Sequence, residues 1–519
     1  MYDINKNLEI FINVYKELNS DYVDKLDPAT TMRTAIDAVT KSLDPYTNFD
    51  SESQVESYWI NEDEKYQGIG ARLGIVDQKC MILEPYEGGP SLKAGLKAGD
   101  EIISIGNVNI KGKPMQEINA ILRGIPGTDI QMSVLKNGKT TSESVSVQRG
   151  EVSIPNVPYS GFVSEGIGYI SLTVFTAQAG QNIGKALKDL KTQNPNMKGL
   201  ILDLRQNGGG LLHEAVNICN LFIPQGEIVV TTKGKVKERD QSYKTMNQPL
   251  DLEMPLVILI NKRSASASEI VSGVIQDYDR GVLLGQRSFG KGLVQNTRET
   301  GYNSRLKLTT SKYYIPSGRC IQGVEYENGE PKDIADHLRS KFKTRNGRTV
   351  LDGGGVTPDV KMEVKETSQI VKVLVDSQFI FKYANQFTNN NDSIAQPNAY
   401  TFNDFDDFML FMDKHGYDHL QLEEEVILKK LISTLETSKT SPEVLQESKK
   451  LLARLHQQKR DLILNAKSQV IDEIENELVM RYYFQKGRTM HSLNDDAEIH
   501  KAIEILNDSN KYKSLLTKQ

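Results

Sequence analysis

The stretch PLVILINKRSASASEIVSGVIQDY, residues 255–278, decides the architecture. Pro255 to Ile260 is a continuous apolar run of strand length, the pattern of a strand covered on both faces in a parallel sheet. From Ala267 to Tyr278 the apolar residues Ile270, Val271, Val274 and Ile275 recur at helical spacing. A small-residue serine turn therefore joins a strand end to a helix start. At such a junction the free N–H groups and the positive end of the helix dipole favour developing negative charge. Ser266 lies at that mouth.

A serine hydroxyl is a weak nucleophile until a base takes its proton. Lysine serves when burial disfavours its ammonium form. After a second strand, Gly281 to Gly285, the chain reads Ser288-Phe289-Gly290-Lys291-Gly292-Leu293-Val294-Gln295. The glycines on either side of Lys291 permit close backbone approach, and Gln295 offers an amide to orient the amine. Either segment alone reads equally well as a polar loop with a solvated lysine. Both together, each after a parallel-type strand, point to a Ser/Lys hydrolase.

These motifs resemble the C-terminal processing peptidases, also called tail-specific proteases. The resemblance runs from Ser42-Leu43-Asp44-Pro45-Tyr46 through Gly68-Ile69-Gly70-Ala71 and Leu202-Asp203-Leu204-Arg205-Gln206-Asn207-Gly208-Gly209-Gly210. It continues through SASASEI, Phe289 to Gly292, and Leu308 to Arg319, and reaches Gly355-Val356-Thr357-Pro358-Asp359, covering roughly residues 1–375. It implies Ser266 as nucleophile, Lys291 as general base and Gln295 as support for the lysine. Backbone N–H groups of the glycine turn, with that of Ala267, would make a two-donor oxyanion hole; the resemblance places one donor in the glycine turn, and spacing leaves Gly209 and Gly210 both open. Asp203 and Arg205 read as an ion pair beneath the site. His213 follows the glycine turn, but no orienting acid accompanies it, so it receives no catalytic role.

Around this core the organisation falls into four expected parts: helices over 1–65, a PDZ module over 66–149, a protease core over 150–377, and a linker with a helical region over 378–519. The fold class expected is multidomain α/β, with a crotonase-like core carrying an inserted PDZ domain. Leu8, Phe11, Ile12, Tyr15 and Leu18 give the first helix one apolar face. The run Gly88 to Ile103 is a PDZ signature, and such domains add a peptide as a strand while loop N–H groups hold its terminal carboxylate. Gly68, Ile69, Gly70 and Ala71 form the expected carboxylate loop, with Arg72 as an optional nearby charge. The strand Arg305–Tyr314 is expected along the substrate.

Beyond Gln378 the resemblance fades. Asn385 to Asn398 reads as a linker, Ser441 with Pro442 as a helix start, and 466–484 as a further helix ending near Gly487. This tail is expected to pack on the core, to dimerise or to recruit an adaptor. His415 and His419 stand four apart, yet Gly416 between them and the want of a third ligand argue against a metal pair.

The net charge of −5, without a basic stripe, argues against nucleic-acid binding. Three separated cysteines, Cys80, Cys219 and Cys320, give neither a disulfide framework nor a metal-ligand pair. No metal or organic cofactor is expected, and the partners are protein or peptide substrates with free C-termini. Met1 opens into a polar amphipathic helix without a leader, whereas the resemblance implies the periplasm or cell envelope. Two alternatives remain at this level: a non-catalytic PDZ scaffold, and an acyl-CoA enzyme of the crotonase type.

Overall fold

The computed structural model describes residues 2–51, 65–322, 324–327, 330–333, 335–363, 367–417, 420–438 and 442–517. At its centre is a six-stranded sheet in the order Tyr159–Ser164, Ile167–Ser171, Gly199–Asp203, Leu256–Ile260, Val282–Gly285, Val360–Lys361. The first pair is antiparallel and the remaining pairs are parallel. Alternation along the strands explains their uninterrupted hydrophobicity. Leu200, Leu202, Leu256, Ile258 and Ile260 face the helices Ala179–Gln193, Leu212–Phe222 and Ala267–Asp277. Ile201, Val257 and Leu259 point the other way, onto Ile499, Ala502, Ile505 and Leu506 of the chain's own C-terminal end. The last two helices, Ala497–Asn507 and Ser509–Leu515, therefore form the third layer of the core. Tyr512 fixes them there by accepting the Leu256 N–H at 2.9 Å.

A second, five-stranded sheet stands against this core and contains the long hairpin Leu293–Gly301 and Ser304–Tyr314. The N-terminal arm joins its edge, with Asn48–Asp50 antiparallel to the strand Ser304–Tyr314. The helix Tyr2–Asp21 has no buried residue, so its predicted apolar face is uncovered, with Leu8 53% and Phe11 42% exposed.

Residues 71–148 build a separate six-stranded sheet around Ile82, Leu96, Ile102, Ile118 and Val134. The chain enters and leaves this body through one antiparallel pair, Lys65–Gly68 with Gly150–Ser153, as an insertion requires. Its strand Ala71–Val76 lies at the edge of the sheet, bonded only to Lys79–Pro85 among the described residues.

The C-terminal region corrects one expectation. Asn385 to Asn390 belong to the helix Phe379–Asn390 rather than to a linker. Phe379, Ile380, Tyr383 and Ala384 are buried on one helical face, and that burial outweighs the turn preference of the asparagines. Tyr383 is the centre of an aromatic cluster with Phe402, Phe408 and Phe411. The helix expected over 466–484 runs instead from Lys467 to Ser492 with a kink at Phe484, φ 56°, so it does not end near Gly487, which is buried within it. Ser441 and His419 lie outside the described residues, while Pro442 opens a helix to Asn465.

This helical body grips the inserted one. Asn137 Nδ2 donates to the Asn385 carbonyl at 2.8 Å, and the almost fully buried Arg481 donates to the Ala98 carbonyl at 3.3 Å and Asn385 Oδ1 at 2.6 Å. Lys382 adds an ion pair with Asp77 at 2.7 Å.

Candidate active site

The serine turn is fixed before any substrate arrives. Ser264 Oγ donates to the Leu204 carbonyl at 2.8 Å, and Ser268 Oγ donates to the Asn207 carbonyl at 2.9 Å. Both of those serines are completely buried, so they serve the turn itself. Ser266 between them is half-buried and opens onto a cleft of about 490 Å³. Its backbone has φ 56° and ψ −113°, outside the regions a serine ordinarily occupies. Such a conformation costs about 1–3 kcal/mol and persists only where its surroundings over-determine it.

Glu269 is the chief constraint. Its carboxylate, wholly buried in the first turn of the helix Ala267–Asp277, accepts Ser266 N–H at 2.8 Å and Lys291 N–H at 2.8 Å on Oε2. On Oε1 it accepts Gly290 N–H at 2.6 Å and Ser288 Oγ at 2.6 Å. Burial pushes its pKa up to about 7, against the opposing pull of these four donors. Sequence reasoning assigned this residue no role. The available signal was Glu three residues after a serine at a helix start, the capping-box spacing. Tyr313, also buried, adds a second clamp, its hydroxyl bonding the Lys291 carbonyl and lying 3.1 Å from the Ser266 carbonyl.

Lys291, Gln295, Gly209, Gly210 and Ala267 all line the cleft with Ser266. Burial lowers the Lys291 pKa, Lys307 lowers it further, and Glu269 and Asp44 act against this. Among the described residues no hydrogen bond joins the Ser266 hydroxyl to the Lys291 amine. The Lys291 ammonium lies instead over the Tyr46 ring, 4.2 Å from its centroid. Gln295 Nε2 donates to Thr309 Oγ1 at 3.2 Å.

The glycine turn passes directly behind the serine. A Cβ on Gly209, at φ +100°, would stand 2.7 Å from the Ala265 carbonyl oxygen and 2.8 Å from Ser266 Cβ, so only glycine fits. The Gly209 N–H is already donated to Asn207 Oδ1 at 2.9 Å. Those of Gly210 and Ala267 enter no hydrogen bond among the described residues.

Below the turn, Arg205 pairs with Asp203 at 2.6 Å, as the sequence suggested, and also with Asp496 at 2.8 Å and Glu498 at 2.5 Å from the C-terminal layer. His213 is largely exposed, 3.6 Å from Glu214. His415 Nδ1 bonds the Phe411 carbonyl at 2.8 Å. The loop Gly68–Ala71 is on the inserted body, away from the residues lining this cleft. There the Ile69 carbonyl accepts from Ser91 N–H and Oγ, the Gly70 carbonyl accepts from Tyr86 N–H, and Arg72 is paired with Glu84 at 3.3 Å.

Comparison with known proteins accounts for all three bodies. Residues 166–329 match peptidase family S41, residues 67–147 match a PDZ domain, and residues 370–506 match the helical domain described as "Probable PDZ-protease, C-terminal helical domain". A carboxy-terminal-processing protease of Bartonella bacilliformis is 33% identical over 321 residues, 62% of this chain and 73% of the relative. The chain belongs to the carboxy-terminal-processing serine proteases of peptidase family S41.

A probable CtpA-like serine protease of Staphylococcus aureus is 35% identical over 322 residues, 61% of this chain and 63% of the relative. The solved PDZ domain of a carboxy-terminal protease from Vibrio cholerae, in complex with peptide, is 29% identical over 17% of this chain and 99% of that one, at a TM-score of 0.17. The tail, where the motifs of the resemblance ran out, thus has its own place in this protease family. Membership of the family decides against the acyl-CoA alternative. No helix among the described residues is long and apolar enough to cross a membrane.

Proposed function

We propose that this protease cleaves peptide bonds through an acyl-enzyme on Ser266, with Lys291 as the general base and general acid. The neutral Lys291 amine takes the Ser266 Oγ proton as Oγ bonds to the scissile carbonyl carbon. The oxyanion so formed is held by the N–H groups of Ala267 and Gly210. Gly210 is preferred to Gly209 because the Gly209 N–H is bound to Asn207. Collapse of the tetrahedral intermediate breaks the C–N bond, and the Lys291 ammonium returns its proton to the leaving amine. Water, deprotonated by Lys291, then hydrolyses the ester. Gln295 orients the amine once it has turned from Thr309.

The observation that carries this reading is the cleft itself. Of the three serines in the turn only Ser266 opens onto it, in a strained conformation, beside a half-buried lysine whose backbone shares a carboxylate with the serine. A serine-directed fluorophosphonate tests it: a covalent adduct on Ser266 in the full chain, absent in Ser266→Ala, is expected, and an unlabelled Ser266 in active enzyme would reject it.

The PDZ body, in the same reading, takes the substrate's C-terminal residues as an added strand along the open edge of Ala71–Val76, with the loop Gly68–Ala71 at the carboxylate. The open edge with Leu73 and the adjacent helix Met115–Leu122 with Met115 and Ile121, all three side chains only partly buried, support an apolar terminal residue. Action in the bacterial cell envelope belongs to this reading and is tested by fractionating cells that express the full-length protein.

A further inference from the structure

The N-terminal arm reaches the cleft from outside the sheet that carries Ser266. Its turn is rigid: the buried Asp44 carboxylate accepts the N–H groups of Tyr46 and Thr47, each at 2.8 Å, and the Thr47 hydroxyl at 2.9 Å. Pairing of Asn48 opposite Lys307 then fastens the arm to a strand lining the cleft. From this anchorage two contacts run into the machinery. The Tyr46 ring underlies the Lys291 ammonium, with Nζ 4.2 Å from the ring centroid. Thr47 Oγ1 accepts the Thr309 N–H at 3.2 Å, and Thr309 Oγ1 accepts the Gln295 amide at 3.2 Å. Lys291 and Gln295 are thus both held by residues that touch the arm, and among the described residues neither side chain hydrogen-bonds Ser266.

A ring face attracts a cation and has no comparable hold on a neutral amine. We propose that residues 44–50 complete the active site, with Tyr46 as a positioning residue whose ring keeps the Lys291 ammonium off Ser266 and releases it when the amine becomes neutral. This rests on Lys291 being the base. Among the described residues, the other charged or titratable groups facing Lys291 are Lys307 from the neighbouring strand, Asp44 from the arm, Glu269 from the serine helix, and Tyr313, whose hydroxyl bonds its carbonyl. Lys307 opposes the ammonium and the two carboxylates favour it, so their effects partly offset. The ring supplies a contact tied specifically to the charged form.

The test is the pH dependence of kcat/KM on one internally quenched peptide, measured with full-length wild type, Tyr46→Leu, Tyr46→Phe, Tyr46→Trp and Lys291→Ala. Tyr46→Leu removes the ring while keeping apolar bulk, and its rising limb should move to lower pH by about half to one pH unit. Tyr46→Phe keeps the ring and should restore the position of the limb. Tyr46→Trp, a better cation acceptor, should move it to higher pH. A Leu limb that coincides with the Phe limb, or lies above it, overturns the proposal. If Tyr46→Leu does not fold, a Trp limb no higher than that of Phe overturns it equally. A rising limb that survives in Lys291→Ala would reject the base assignment itself, a failure recognisable independently of the ring.

Discussion

The backbone N–H groups of Ser266 and Lys291 donate to one and the same oxygen, Oε2 of Glu269, each at 2.8 Å. Ser266 stands at the end of one core strand and Lys291 follows the next. A shared, fully buried acceptor therefore fixes the distance between two loops that could otherwise drift apart. Positioning of this kind matters because displacement of a reacting group by about 1 Å can cost on the order of 100-fold in rate.

Replacing Glu269 by Gln tests that constraint with almost no change of volume. One carboxylate oxygen becomes an NH₂ that faces N–H donors, so at least one charge-assisted bond is replaced by a donor–donor contact. Loss of about 1.5–3 kcal/mol of stability is expected, with kcat falling by more than 10-fold. Thermal unfolding and steady-state kinetics of the variant check both. Wild-type kcat in Glu269→Gln would show that the bridge does not position the pair.

Activity should rise with pH. In the proposed mechanism the neutral form of Lys291 is the active one, and burial lowers its pKa, so the midpoint of the rise should lie below the 10.5 of an ordinary lysine. A kcat/KM profile from pH 5 to 11 measures this. A midpoint near the histidine value of about 6.5, abolished by His213→Ala, would assign the base to His213 instead.

The α/β core was legible because residues 255–278 and 199–222 carry their pattern locally: a strand covered on both faces, a turn of small residues, and a helix with one apolar face. The sequence also placed Ser266, Lys291, Gln295 and the glycine turn, which the structure brings to one cleft. What it could not give were relationships across the chain. Nothing local says that Tyr46 meets Lys291, that the helix at 497–507 forms the far layer of the sheet, or that Arg481 reaches Ala98. The segment 385–390 was misread because its asparagines favour turns, whereas the aromatic face preceding them settles the helix through burial in the tertiary fold.

Arg481 should hold the PDZ body in place. Its guanidinium donates to carbonyls on both bodies and pairs with Glu477 at 2.9 Å. Arg481→Ala should cost about 2 kcal/mol through the lost charge-assisted bonds. Amide hydrogen exchange around Leu96–Glu101 should also become faster. Unchanged exchange there would mean that Asn137 and Lys382 suffice for docking.

Carboxylate reading by the PDZ body predicts that amidating the C-terminus of a long substrate with an apolar last residue lowers kcat/KM although the scissile bond is unchanged. Deleting residues 66–148 should erase the difference between free and amidated substrates. Equal cleavage of the two by the intact chain would show that the terminal charge does not select substrates.

The pairing of Ser266 with Lys291 is tested most directly by locating the covalent intermediate. Intact-mass and peptide-mapping mass spectrometry after reaction with a fluorophosphonate should place a single adduct on Ser266 in the wild type. Ser266→Ala should show none, and Lys291→Ala and Lys291→Arg should be labelled at least 100-fold more slowly, because a guanidinium cannot act as a base near neutral pH. Labelling of Ser266 at the wild-type rate in either lysine variant, or proteolysis by Ser266→Ala, would contradict the dyad.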